Sequence, residues 1–229
     1  MTAATVGRRH GLLPALPAFA RRAVRAAAAL VLTLPLLAGC YLPDRFQSEI
    51  RLARTGEYGV YFKGNLTWLP LVKDLREGKV SEAELPERMA VFQRDLERDS
   101  NFSTVRPVGP GTFAVEYNRI GRLDLPDLVT FVRRNARVLS MQTAADGTVT
   151  VTGSQAIKMI PPETIERAGL NSRGLFRITT NAEVIRHNAD SVRLGPEGYV
   201  IYDWNINGVR GQEPHFEATL DIPGTRPGN

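Results

Sequence analysis

Residues Tyr58 to Trp68, Tyr-Gly-Val-Tyr-Phe-Lys-Gly-Asn-Leu-Thr-Trp, place Tyr58, Val60, Phe62, Gly64, Leu66 and Trp68 at every second position, with polar or small residues between them. A period of two is that of a strand with one buried face. Upstream, Thr55-Gly56-Glu57 supplies a turn and Glu49 to Arg54 an extended segment, so a hairpin opens the domain. Downstream, Leu69 to Gly78 reads as a short helix closed by its glycine, and Ser81-x-x-Glu84 as a capping box for a longer one. In that longer helix Leu85, Met89, Phe92 and Leu96 recur at helical spacing, with Pro86 in the first turn.

Further hairpins follow. Phe102 to Val108 and Thr112 to Ile120 flank Gly109-Pro110-Gly111, with Phe113, Val115 and Tyr117 on one face. Val138 to Thr143 and Thr148 to Thr152 flank Asp146-Gly147, a pair suited to a type I′ turn. Leu123 to Asn135, interrupted by Pro126, is compatible with a short helix. Pro161 to Ala168 reads as another helix, stopped at Gly169, and Phe176 to Ile185, Tyr199 to Ile206 and Phe216 to Ile222 as three strands. In the second of these, apolar residues on both faces suggest a strand covered on both sides. Hairpins set between helices, with no regular strand-helix-strand alternation, give an α+β class: an antiparallel sheet backed by two or three helices in a single domain.

The amino-terminal residues carry an address. Arg21, Arg22 and Arg25 precede an apolar run from Ala26 to Leu37, too short to span a bilayer, and Ala38-Gly39 precedes Cys40, the only cysteine. This is a secretory signal peptide. Its end, Leu37-Ala38-Gly39-Cys40, resembles the lipobox of bacterial lipoproteins, which implies cleavage after residue 39 and a mature chain beginning at acylated Cys40. The same resemblance implies outer-membrane sorting, because Tyr41 rather than Asp follows the cysteine. The division expected is a signal peptide over 1–39, a mobile lipidated tether over 40–48, a globular domain over 49–222 and a disordered tail over 223–229.

Removing the signal changes the charge. The chain has 29 Lys and Arg against 24 Asp and Glu, but Arg8, Arg9, Arg21, Arg22 and Arg25 all precede Cys40 and no acid does. The mature chain is balanced, so the basic character belongs to export and gives no support for a nucleic-acid partner. With Cys40 acylated, no thiol is left for a disulfide, for catalysis or for a metal.

Motifs for chemistry are sparse. No Gly-x-Ser-x-Gly, His-Glu-x-x-His, phosphate loop or dinucleotide fingerprint is present. His187-Asn188-Ala189-Asp190 is the sharpest cluster: a histidine near an aspartate becomes a catalytic base only if a nucleophile such as Ser172 or Ser191 approaches. A metal set of His187, Asp190, Asp203 and His215 requires their loops to converge, and nothing in their spacing demands it. Glu82, Glu84 and Glu87 read as ordinary start-of-helix charge. Arg119, Arg122, Arg133, Arg134 and Arg137 form a basic run that suits anionic head groups if it is gathered on one face. Tyr58, Phe62, Trp68, Tyr202 and Trp204 are candidates to line a lipid-sized cavity or simply to fill the core.

The order of elements, closing through Phe176-Arg177-Ile178-Thr179, Asn188-Ala189-Asp190 and Tyr202-Asp203-Trp204-Asn205-Ile206, resembles the LppM-type lipoprotein domain of bacterial envelopes. That resemblance implies an envelope-exposed globular module and transfers no catalytic residue. The sequence therefore favours a non-enzymatic, membrane-anchored envelope lipoprotein. It would bind an amphiphile or another envelope protein, with no cofactor beyond the lipid on Cys40. The alternatives are a hydrolase using His187 and a purely structural assembly subunit. An apolar cavity between sheet and helices would separate binding from scaffolding.

Overall fold

The structure, a computed structural model, describes residues 41–133, 136–153 and 160–223. The expected signal peptide, the expected lipidation site Cys40 and residues 224–229 of the expected tail lie outside the described residues.

The alternating stretch forms β2 (Glu57–Trp68), with Tyr58, Val60, Phe62 and Leu66 buried and Glu57, Tyr61 and Lys63 exposed. Its partner β1 (Tyr41–Leu52) begins eight residues before the strand expected from sequence. The mobile tether is overturned: Tyr41 pairs with Trp68 and Leu42 with Thr67, both buried, so the domain starts at Tyr41 rather than at Glu49. What hid this strand is a bulge between Asp44 and Gln47, with Arg45 at φ 49°, which breaks the alternation. Phe46 is drawn in beside two glycines. A Cβ on Gly64 would lie 2.5 Å from that of Phe46, and one on Gly174 would lie 2.4 Å from the Phe46 carbonyl oxygen.

The remaining strands are β3 (Phe102–Gly109), β4 (Thr112–Arg122), β5 (Asp127–Arg133), β6 (Ala136–Thr143), β7 (Thr148–Gly153), β8 (Arg173–Thr180), β9 (Glu183–His187), β10 (Ser191–Leu194), β11 (Val200–Asn207) and β12 (His215–Thr219). They form two sheets, of order β10-β11-β8-β1-β2-β4-β3 and β5-β6-β7-β12-β9. Among the described residues every strand pair is antiparallel except β1 with β8. The class is α+β, as the patterning indicates, with the strands divided between two layers.

The sheets meet face to face. Phe131 of the smaller sheet lies 4.7 Å, between ring centroids, from both Phe62 and Tyr117 of the larger, and Tyr202 lies 5.4 Å from Phe216. Among the described residues three α-helices flank them: α1 (Leu69–Arg76), α2 (Leu85–Glu97) and α3 (Pro162–Arg167). Ser81 and Glu84 make the expected capping box: the Ser81 N–H donates to Glu84 Oε2 at 2.8 Å, and the Glu84 N–H to Ser81 Oγ at 3.3 Å. The Ser81 N–H, together with the Ser81 hydroxyl that donates to the same Oε2 at 2.8 Å, holds the Glu84 carboxyl below its ordinary pKa.

Three local expectations are corrected. Residues 123–135 hold β5 rather than a helix, since Val129, Phe131 and Val132 bury themselves in the sheet. The hairpin at Asp146-Gly147 exists, but only Gly147 has positive φ and its N–H bonds to Ala144 at 3.1 Å, so the turn is not type I′. The stretch from Phe176 to Ile185 is two strands in different sheets. At the crossing, the Thr180 hydroxyl donates to the Leu52 carbonyl at 2.7 Å, and Asn181 Oδ1 accepts the Arg54 N–H at 2.7 Å.

Candidate functional site: a cavity between the sheets

A cavity of about 560 Å³ lies between the layers. The larger sheet contributes Leu42, Phe46, Phe62, Phe176 and Trp204, and the smaller one Phe131 and Leu139. Helix α3 adds Pro162 and Ile165, and the strap joining β11 to β12 runs along it from Asn207 to Pro214. Of the five aromatics marked by the sequence, Phe62 and Trp204 line this space, while Tyr58, Trp68 and Tyr202 do not. The strap has no periodicity, and its legible mark in the sequence is the turn pair Asn207-Gly208.

Polar groups gather beside the strap. Asn188 joins three elements: its Oδ1 accepts the Trp204 Nε1–H at 2.8 Å and the His215 N–H at 2.7 Å, and its Nδ2 donates to the Glu213 carbonyl at 2.8 Å. Asp190 Oδ2 accepts the Asn205 N–H at 2.6 Å. The Asn-Ala-Asp segment thus fixes the rim of the cavity through hydrogen bonds. Across the mouth, the Arg210 guanidinium grips Glu166 of α3 with two bonds, of 2.8 and 2.7 Å. This contact lowers the Glu166 pKa and raises that of Arg210. Val209 packs against the small cluster of Leu42, Leu69 and Ile165, closing the strap onto the layer below.

The other candidates fall elsewhere. His187 is exposed on β9; its Nδ1 accepts the Ala189 N–H at 3.1 Å and its ring meets Tyr202 edge-on. Among the described residues no carboxylate or hydroxyl is bonded to that imidazole. Ser172 sits in the cavity wall, and Ser191 is exposed on β10. Asp203 is committed to Arg177, at 2.6 and 3.1 Å, on the face of β11 away from the core. That face carries an ion pair rather than apolar cover. Among the described residues no three His, Cys, Asp or Glu side chains converge on a metal-sized space.

The basic run is dispersed. Arg122 pairs with Glu57 at 3.2 Å, Arg119 lies over the Tyr58 ring at 5.9 Å, and Arg133 pairs with Asp95 of α2 at 2.6 Å. Arg133 ends a strand that starts near Arg122, so the two are separated by the length of β5, roughly 20 Å at about 3.3 Å per residue. Arg137 is exposed on β6, and Arg134 lies outside the described residues.

No protein family matches the chain, and no curated protein matches it. Among solved structures it is similar to the folded domain of the LppM protein of Mycobacterium tuberculosis, determined by NMR. The identity is 11% and the TM-score 0.36, over 82% of this chain and 95% of that one. At that distance no residue is carried across.

Proposed function

We propose that this chain is a non-enzymatic, lipid-anchored module of the bacterial cell envelope that takes an amphiphile into the space between its sheets. The observation that carries the reading is the cavity. At about 560 Å³ it is the size of a small-molecule site rather than a packing defect. Leu42, Phe46, Phe62 and Phe176 offer apolar wall, while Asn188, Asp190 and Ser172 stand where a polar tip would lie. An occupant with an apolar body and a polar end matches both.

The anchor comes from the sequence. Acylation of Cys40 would add two or more chains at roughly 0.8 kcal/mol per buried methylene, enough for stable attachment. With Tyr41 after the cysteine, the outer membrane, facing the periplasm, is the expected site. The hydrolase reading has lost its basis in geometry, because the His187 ring faces solvent with one nitrogen already taken.

Purification of the mature protein from membranes, followed by solvent extraction and mass spectrometry, is expected to release a stoichiometric amphiphile. Narrowing the cavity with Ile206→Trp is expected to cut uptake of a pyrene-labelled acyl probe several-fold while the fold is kept. A parent protein that carries no amphiphile and takes up no probe overturns the reading.

A further inference from the structure

Cys40 precedes Tyr41 by one peptide unit, about 3.8 Å between Cα atoms. Tyr41 is already locked into the sheet opposite Trp68. With no slack between anchor and fold, the end of the domain that holds Tyr41 must lie at the bilayer if Cys40 is acylated. Contacts define that end. The Tyr41 ring lies 4.7 Å from Trp68, and Trp68 lies 4.9 Å from Phe92 of α2. The Trp68 N–H donates to the Gly111 carbonyl at 2.7 Å, and the Gly111 N–H meets Met89 Sδ at 3.1 Å.

Beside these residues runs an open groove. The stripe Leu85, Pro86, Met89 and Ala90 of α2 forms one bank, and Pro107, Gly109 and Pro110 of the β3–β4 tip form the other. Pro86, Ala90, Pro107, Val108 and Pro110 are exposed, Val108 to 45%. The more exposed Ile120, on β4, and the β10 pair Val192 and Leu194 lie toward the opposite end, on strands five places apart in the sheet. Arg88 and Arg106 flank the apolar surface and form no ion pair among the described residues, while Glu82, Glu84 and Glu87 are exposed at or just before the first turn of α2, so the charged margin is mixed. An exposed apolar patch, set where an acyl anchor would leave the chain, has the chemistry of a lipid–water interface.

We propose that this face, the β3–β4 tip with the first turns of α2, docks on the surface of a lipid bilayer. The proposal rests on the anchored reading of Cys40 given above. It also orients the cavity. Asn207 of β11 pairs with Arg173, and the Arg173 N–H bonds Asp44 Oδ1 at 3.0 Å, so the strap starts at the same end of the sheet as Tyr41. A docked domain therefore holds the cavity mouth toward the membrane.

The test uses the lipidated mature chain in vesicles of phosphatidylethanolamine and phosphatidylglycerol. Because the only native cysteine is blocked by acylation, Val108→Cys and Leu194→Cys each take a single nitroxide, and Ala90→Cys repeats the measurement from the helical bank. At 108 and 90, collision with oxygen is expected to rise and collision with a water-soluble nickel chelate to fall several-fold relative to 194. If Cys40 is acylated by intact mass yet all three sites are equally open to the chelate, the docking face is overturned and the anchored reading stands. If intact mass shows Cys40 unmodified, both are overturned together.

Discussion

Asn188 shows how one side chain can hold the rim of a site. Replacing it with Ala leaves the Trp204 Nε1–H and the His215 N–H without their acceptor, and each orphaned donor costs about 1–3 kcal/mol. Asn188→Ala is expected to lower stability by about 3 kcal/mol and to weaken probe uptake, read by urea unfolding and by fluorescence. Tyr117 is the opposite case: its hydroxyl is buried with no well-formed hydrogen bond, although the Arg119 guanidinium is near enough to act on it electrostatically. Burial also pushes its pKa up to about 12, so it stays protonated and the deficit persists through neutral pH. Tyr117→Phe is expected to keep the ring contact with Phe131 and raise the melting temperature, a gain of about 1 kcal/mol. An unchanged or lower melting temperature would count against an unpaired hydroxyl. At Gly64, by contrast, the close approach of Phe46 leaves no room for a Cβ, and Gly64→Ala is expected to destabilise by about 2 kcal/mol or more.

At the scale of elements, the capping box of α2 makes a pH prediction. The Glu84 carboxyl has a folded pKa below its unfolded one, first because of the Ser81 backbone N–H and then the Ser81 hydroxyl. Its contribution is therefore complete above the ordinary carboxylate range and is lost as pH falls through the lowered value. Ser81→Ala is expected to cost about 1 kcal/mol at neutral pH, and less in acid, measured as paired urea titrations. This cap was legible from sequence because its signal is local: a hydroxyl, a carboxylate and their spacing. The alternation of β2, the chain-stopping Gly78 and Gly169, and the β3–β4 hairpin were legible for the same reason. What escaped depended on distant residues. Tyr41 to Ser48 became strand only through β2 and β8, with a bulge masking the period. The break between β8 and β9 is set by Leu52 and Arg54, more than a hundred positions away. The cavity was foreseen as a question, and two of its aromatics were named; the strap that borders it has no periodicity to read beyond its Asn207-Gly208 turn.

At the scale of the whole molecule, the start of the domain is the most practical consequence. A soluble version trimmed to Glu49 would lose Tyr41, Leu42 and Phe46 from the core, along with part of the cavity wall. It is expected to be largely unfolded by circular dichroism and proteolysis, whereas a version beginning at Tyr41 should fold. Equal folding of the two would show that the first half of β1 is dispensable.

The place of β1 in the larger sheet also sets an order of events. It is the first of the described strands in chain order, and its hairpin partner β2 follows it directly. Its other edge is completed only by β8, whose Thr180 meets Leu52 across 128 positions of sequence. Until that strand arrives, β1 presents an open row of backbone donors and acceptors along one edge. The fold thus carries a waiting period, and its non-local pairing belongs to the slow, milliseconds-to-seconds class of folding reactions. A chain that emerges tied to the bilayer by its first residue would spend that interval beside the lipid surface, where an envelope chaperone able to cover a bare strand edge would have its earliest work.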